Sequence, residues 1–190
     1  MLTERIMGAY TFRKGIYAEV EQDSSFTSTA WMLVGVVAFL NQIGTNASGD
    51  FVGWLVGAVV GTIFAVAGFA VGAFVISWVG KSFFKADVTF EEMVRTLGLA
   101  YVWNVVGFIG VVSAFSTALS CVLAPVMILA AIATAVAWFI AAKEALDLEW
   151  GQTILTVILG WIALMIIMAI SGVVLGIMGF GAAAVGGMFN

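Results

Sequence analysis

Residues 87–107 read DVTFEEMVRTLGLAYVWNVVG, a charged segment that turns wholly apolar without a break residue. Thr89 is followed three residues later by Glu92, which has the form of a capping box. The threonine hydroxyl accepts from the Glu92 amide, and the Glu92 carboxylate reaches back to the Thr89 amide. A helix that starts there runs through Met93, Val94 and Leu97 into a water-free environment. The apolar runs before this stretch form one helix pair, and those after it form a second group.

Composition removes the water-soluble alternative. Of the 190 residues, 63% are hydrophobic and only 9% charged, whereas soluble chains carry about 25% charged residues. Mean hydropathy is +1.16. The net charge is −4, with no basic surface that would attract nucleic acid. A single cysteine, Cys121, excludes an internal disulfide framework. The chain has no histidine, which removes the commonest metal and haem ligand and the commonest general base.

Segment 1–25 carries Leu2, Ile6, Tyr10, Tyr17 and Val20 at roughly helical spacing among charges. It has no apolar stretch of signal-peptide length. The pattern predicts a cytoplasmic amphipathic helix, lying at the membrane interface or packed under a bundle. Five apolar runs follow, at about 26–43, 51–79, 89–119, 122–142 and 153–180, and a Gly/Ala-rich tail covers 181–190. About 20 apolar residues cross a bilayer core, so the expected fold is an all-α integral membrane protein with five transmembrane helices. Pro125 is expected in the first turn of the fourth helix, where its missing N–H costs nothing. In the second run Gly53, Gly57 and Gly61 fall every fourth residue, with Gly68 and Gly72 offset along the same helix. Such small residues let another helix approach closely in lipid, and we expect them to form a packing face.

Basic residues test this count. Arg5, Arg13, Lys14, Lys81, Lys85, Arg95 and Lys143 all fall on one side if five spans are assigned and the N-terminus is inside. That is the positive-inside distribution. It predicts an outside C-terminus, and it makes these seven residues topology signals of a multi-pass membrane protein. Trp31, Trp54, Trp78 and Trp150 lie near span ends, whereas Trp103 and Trp161 lie deeper, where they would pack between helices.

The opening stretch resembles the start of the third helix in the Yip domain family, the Ypt-interacting proteins. The similarity is carried by Thr89, Glu92, Arg95, Gly98, Ala100 and Tyr101. Residues 137–148, AWFIAAKEALDL, resemble the family's fourth-helix exit with its Lys-Glu-Ala-Leu step. The lead-in Arg5, Ala9, Tyr17, Val20, Glu21 and Asp23 is similar to that of short bacterial members. The resemblance implies a five-helix membrane protein with a cytoplasmic N-terminus. Relatives often have a proline just after the Ala-Tyr step, where this chain has Val102, Trp103 and Asn104. Eukaryotic relatives are associated with small GTPases, but this chain lacks the long cytosolic region such binding would use. Small-GTPase binding is therefore not carried over.

Apart from Glu91, Glu92 and Arg95 in the first turns of the third run, no carboxylate, lysine or arginine falls between the expected span ends, so the ion relays of pumps and coupled transporters are missing. Asn104 stands out among the intramembrane polar groups, because an unpaired amide in hydrocarbon costs about 4–8 kcal/mol. Together with Trp103 it is the expected contact to a partner or ligand. Lys143 and Asp147 have i,i+4 spacing and are expected to form a helix-end ion pair. Neither a catalytic nor a metal site is expected, and no cofactor of the protein's own. Contact with lipid, quinone or pigment stays open. The sequence therefore points to a non-enzymatic accessory subunit that packs against membrane lipids and other membrane-protein subunits, in a respiratory or photosynthetic assembly or along a quinone or lipid path. Two alternatives stand beside it, a pore for a neutral or lipidic solute and a membrane-trafficking organiser.

Overall fold

The computed structural model describes residues 1–47, 50–114 and 116–178. The tail at 181–190 and the last two residues of the fifth run therefore lie outside the described residues. Among those described there is no strand, and five helices are long and apolar enough to cross a membrane.

The N-terminal segment is two helices, α1 (Leu2–Tyr10) and α2 (Ile16–Gln22), where the sequence predicted one. The break is local: Phe12 has φ 50° and Gly15 has φ 78°, left-handed values that no α-helix continues through. The resulting hairpin is packed under the bundle. Ala9, Ile16, Tyr17 and Val20 are all buried in the main core.

The first two spans are α3 (Phe26–Thr45) and α4 (Phe51–Phe84). At 34 residues, α4 is about 51 Å long, well beyond a bilayer core of about 30 Å. It starts at Asp50, whose carboxylate accepts from the amides of Val52 and Gly53 at 3.2 and 3.1 Å. It ends with Lys85 in a left-handed conformation.

The third span begins as α5 (Phe90–Ala100). Thr89 Oγ1 accepts from the Glu92 amide at 3.2 Å, and the Thr89 amide donates to the Glu92 carboxylate at 2.6 Å. At Tyr101 the helix changes to a 3-10 helix that runs to Ala114. Such segments rarely exceed three or four residues, and this one has 14. In a 3-10 helix every third residue falls on one line, which aligns Tyr101, Asn104, Gly107 and Gly110. This line meets α3 at very close range. A Cβ on Gly107 would lie 2.8 Å from Asn41 Cγ, and one on Gly110 would lie 2.9 Å from the Gly44 carbonyl oxygen.

Two long helices complete the bundle, α6 (Thr117–Leu146) and α7 (Trp150–Ile177). Ser116 caps α6 by accepting from the Leu119 amide. Pro125 lies inside α6 rather than in its first turn, because the helix begins at Thr117, earlier than the apolar run indicates. The main core joins the hairpin, α3, α4, α5 and the C-terminal half of α6, around Phe69, Met93, Leu97 and Trp138. Phe69 sits edge-on to Trp31, Tyr101 and Trp138. By contrast α6 and α7 leave long apolar faces uncovered, including Val122, Leu129, Met165 and Val173.

Candidate functional site in the helix bundle

A cavity of about 420 Å³ lies among α3, α4, the 3-10 helix, α6 and α7. Its polar wall is made of Asn41, Gln42, Tyr101, Asn104 and Thr134. Opposite them stand Trp138 and Trp161, with Leu164, Met165 and Met168. Ala65, Ala131 and Ala135 contribute small walls that leave the space open. No carboxylate, ammonium or guanidinium group lines it.

The amides are held by backbone and by one another. Asn41 Nδ2 donates to the Asn104 carbonyl at 2.8 Å, and Asn104 Nδ2 donates to the Tyr101 carbonyl at 3.2 Å. Gln42 Oε1 accepts from Asn46 Nδ2 at 2.8 Å. Thr134 donates back to the Ala130 carbonyl at 2.8 Å, the usual resting place of an intrahelical threonine. Buried amides would be expensive if left unmade, so these bonds fix the side chains in place. Trp138 is 3% exposed, and its indole N–H has no hydrogen-bond partner.

Trp103 and Asn104 are consecutive but face different neighbours. Trp103 stacks on Phe12 at 5.5 Å and meets Tyr10 edge-on at 5.0 Å. Its indole N–H donates to the Ala9 carbonyl at 3.4 Å, and Tyr10 donates to the Val102 carbonyl at 2.9 Å. The hairpin is thus pinned to the 3-10 helix beside the cavity. Asn104 alone of the two lines the cavity.

The glycines of α4 serve two neighbours. A Cβ on Gly57 would lie 3.1 Å from Asn46 Oδ1, and one on Gly61 would lie 2.8 Å from Gln42 Cδ. Gly68 lies opposite Leu164 and Ile167, and Gly72 opposite the Gly160 carbonyl, at van der Waals distances of 3.5–3.6 Å. Gly53 is in the first turn, where Asp50 caps it.

The seven basic residues also separate. Arg95 is 5% exposed. Its Nε donates to the Glu21 carbonyl at 2.8 Å, Nη2 reaches the same oxygen, and Nη1 donates to Thr27 Oγ1 at 3.1 Å. One guanidinium therefore ties α2, α3 and α5 together. Arg5 pairs with Glu19 and Asp23 and lies 5.0 Å from the Phe26 ring centre. A hydrogen bond from the Ser25 hydroxyl, followed by the Arg5 guanidinium, holds the Asp23 carboxyl below its ordinary value. Arg13 pairs with Glu19 at 2.7 Å. Lys143 departs from expectation: it donates to the Leu148 carbonyl at 3.3 Å and lies 5.5 Å from the Trp150 ring centre. Among the described residues it makes no ion pair with Asp147, because Asp147 has turned left-handed at φ 48° to end α6. Lys14, Lys81 and Lys85 make no side-chain bond among the described residues.

Among the described residues no three His, Cys, Asp or Glu side chains converge on a metal-sized site. The arrangement can bind through hydrogen bonds and apolar contact. Periodicity and composition single out Asn104 but miss Asn41, Gln42 and Trp138. The amides Asn41 and Gln42 read as the polar end of a span, and an apolar-neighboured Trp138 reads as core.

No curated protein and no solved structure matches the chain. A family model does, the Yip1 domain, over residues 8–188. This stretch takes in the end of α1, all of α2, the five candidate spans and every residue of the cavity wall, and the chain belongs to the Yip1 domain family.

Proposed function

We propose that this Yip1-family protein is an accessory subunit of the bacterial cytoplasmic membrane, with its N-terminus inside. It packs against a larger membrane assembly and borders a path for lipid or quinone. The observation that carries this reading is the uncharged cavity between five helices. A space lined by amides, indoles and thioethers suits a neutral lipidic molecule, whereas relaying an ion needs charged groups. The uncovered faces of α6 and α7 support the packing role. Only 11% and 17% of their most hydropathic windows are buried within the chain. Lipid and neighbouring subunits would cover the remainder.

Purification of the tagged protein in mild detergent tests the reading. We expect partner subunits to travel with it. Migration as a lone 20.0 kDa species would refute the accessory role.

The pore alternative has less support. It needs the stripe of Gly53, Gly57 and Gly61 together with Asn104 to line a path; Asn104 does line the cavity, but the side chains of Asn46 and Gln42 lie over Gly57 and Gly61. A trafficking organiser would need residues 1–25 as a docking arm, and that segment is bonded to the bundle through Tyr10, Trp103 and Arg95.

A further inference from the structure

We propose that the cavity is a binding site for one neutral amphiphile whose head carries carbonyl oxygens. The inference rests on the reading of the cavity as lipidic, and it identifies the ligand by the groups left unpaired. The indole N–H of Trp138 has no partner, and the residue is 3% exposed. Gln42 is 8% exposed. Its carbonyl is taken by Asn46, and its NH2 group makes no hydrogen bond among the described residues. The Trp138 indole N–H is thus a buried donor without an acceptor, and the Gln42 amide stands with it in the wall of one cavity. Buried donors are nearly always paired, and a carbonyl-bearing guest would pair both.

Charge narrows the class further. A phosphate or carboxylate head would need a guanidinium or ammonium partner, and the wall has neither. A cationic head would need a carboxylate or an open aromatic cage, and Trp138 and Trp161 instead lie against each other with ring centres 6.4 Å apart. A volume of about 420 Å³ is in the range of small-molecule sites. It takes a ring or glyceryl head with a few methylenes, and it leaves a longer tail to the bilayer. Met165 and Met168 supply a flexible apolar wall for that tail.

Two lipids share this chemistry, a quinone with ring carbonyls and a diacylglycerol with ester carbonyls. The full chain in nanodiscs would be titrated with decyl-tailed benzoquinone, with dioctanoylglycerol, and with an anionic phosphatidylglycerol as control. Native mass spectrometry would count bound molecules, and calorimetry would give the affinity. We expect one molecule of either the quinone or the diacylglycerol per chain, with no competition from phosphatidylglycerol. Whichever neutral probe binds names the source. Trp138→Phe keeps an aromatic side chain, a smaller one, and removes the indole donor, and Gln42→Met removes the amide donor at similar volume. Each should weaken binding by about tenfold, the worth of one hydrogen bond. Binding of neither neutral probe, or unchanged affinity in both variants, would overturn the proposal. Because the titration uses the isolated protein, a chain that purifies alone yet binds the quinone loses only the accessory role.

Discussion

Replacing Gly44 by alanine probes the tightest glycine contact among the described residues. In α3 this residue lies directly against the 3-10 helix. A Cβ there would fall on the Gly107 carbonyl oxygen, 2.7 Å from its carbon and 2.8 Å from Phe108 Cα. All three obstacles are backbone, so no side-chain rotation relieves them, and α3 and the 3-10 helix must separate. Overpacking costs about 1–3 kcal/mol where side chains can adjust, and a backbone obstacle belongs at the top of that range. Alanine returns about 1 kcal/mol of helix propensity. The net loss is about 2 kcal/mol, or about 4–8 °C in Tm for a chain of this size. Gly35→Ala on the same helix is the control, since a Cβ there meets nothing within 4 Å, and propensity alone should raise its Tm slightly. Thermal unfolding of both variants in one detergent, followed by circular dichroism, makes the comparison. If Gly44→Ala melts with or above Gly35→Ala, the close crossing of α3 and the 3-10 helix is refuted.

Arg95→Met should cost about 2–3 kcal/mol, because it removes charge-assisted bonds to Glu21 and Thr27. Limited proteolysis should then cut between α2 and α3, and Arg95→Lys should rescue little, since an ammonium cannot reproduce the guanidinium fork. Burial, followed by repulsion from Asp147, Glu92 and Glu144, pushes the Glu21 carboxyl up to about 6. A folded value above the ordinary one means the ionisation penalty is absent below about pH 4.5 and complete above about pH 6. Glu21→Gln should therefore raise Tm at pH 8, by about 1–2 °C after solvent screening, and leave it unchanged at pH 4; an equal gain at both pH values would refute the assignment. The buried Tyr17 hydroxyl has no partner, so Tyr17→Phe should unfold at the same temperature as the parent or up to about 4 °C higher, and a fall would show that the hydroxyl is bonded. Cys121 is the chain's single cysteine and is exposed, which makes it a native probe of orientation. A membrane-impermeant maleimide should label it in intact cells, while Lys14→Cys in a Cys121→Ser chain should label only after permeabilisation; the reverse pattern would invert the topology.

The five spans were legible because each carries a long apolar run, and hydrocarbon requires a helix to satisfy its own backbone. The start of the third was legible from Thr89 and Glu92 alone, since a capping box is local chemistry. The hairpin was not. Apolar spacing continues from Tyr10 to Tyr17 almost in helical phase, so the segment reads as one helix. Arg95 read as one more positive charge, because its partners are a backbone carbonyl 74 positions away in sequence and a hydroxyl 68 away. The cavity draws its wall from five helices, and no spacing rule within one helix can register that convergence.

The 3-10 helix did leave a trace that helical periodicity obscured. Tyr101, Asn104, Gly107 and Gly110 recur every third residue. At 3.6 residues per turn these positions drift around a helix, and at 3.0 they form one straight line. Small or amide-bearing residues along that line let α3 approach, and Gly44 completes the contact from the other side. The same geometry separates neighbours by about 120°, which sends Trp103 to the hairpin and Asn104 to the cavity. Relatives that carry proline near this step would lose a backbone donor there. In this chain the carbonyls of Tyr101, Val102 and Asn104 accept from Asn104, Tyr10 and Asn41 side chains, respectively. The first turn of the 3-10 helix is thus held from the hairpin on one side and from α3 on the other. A shift of either support therefore moves the turn that carries the Asn104 wall of the cavity.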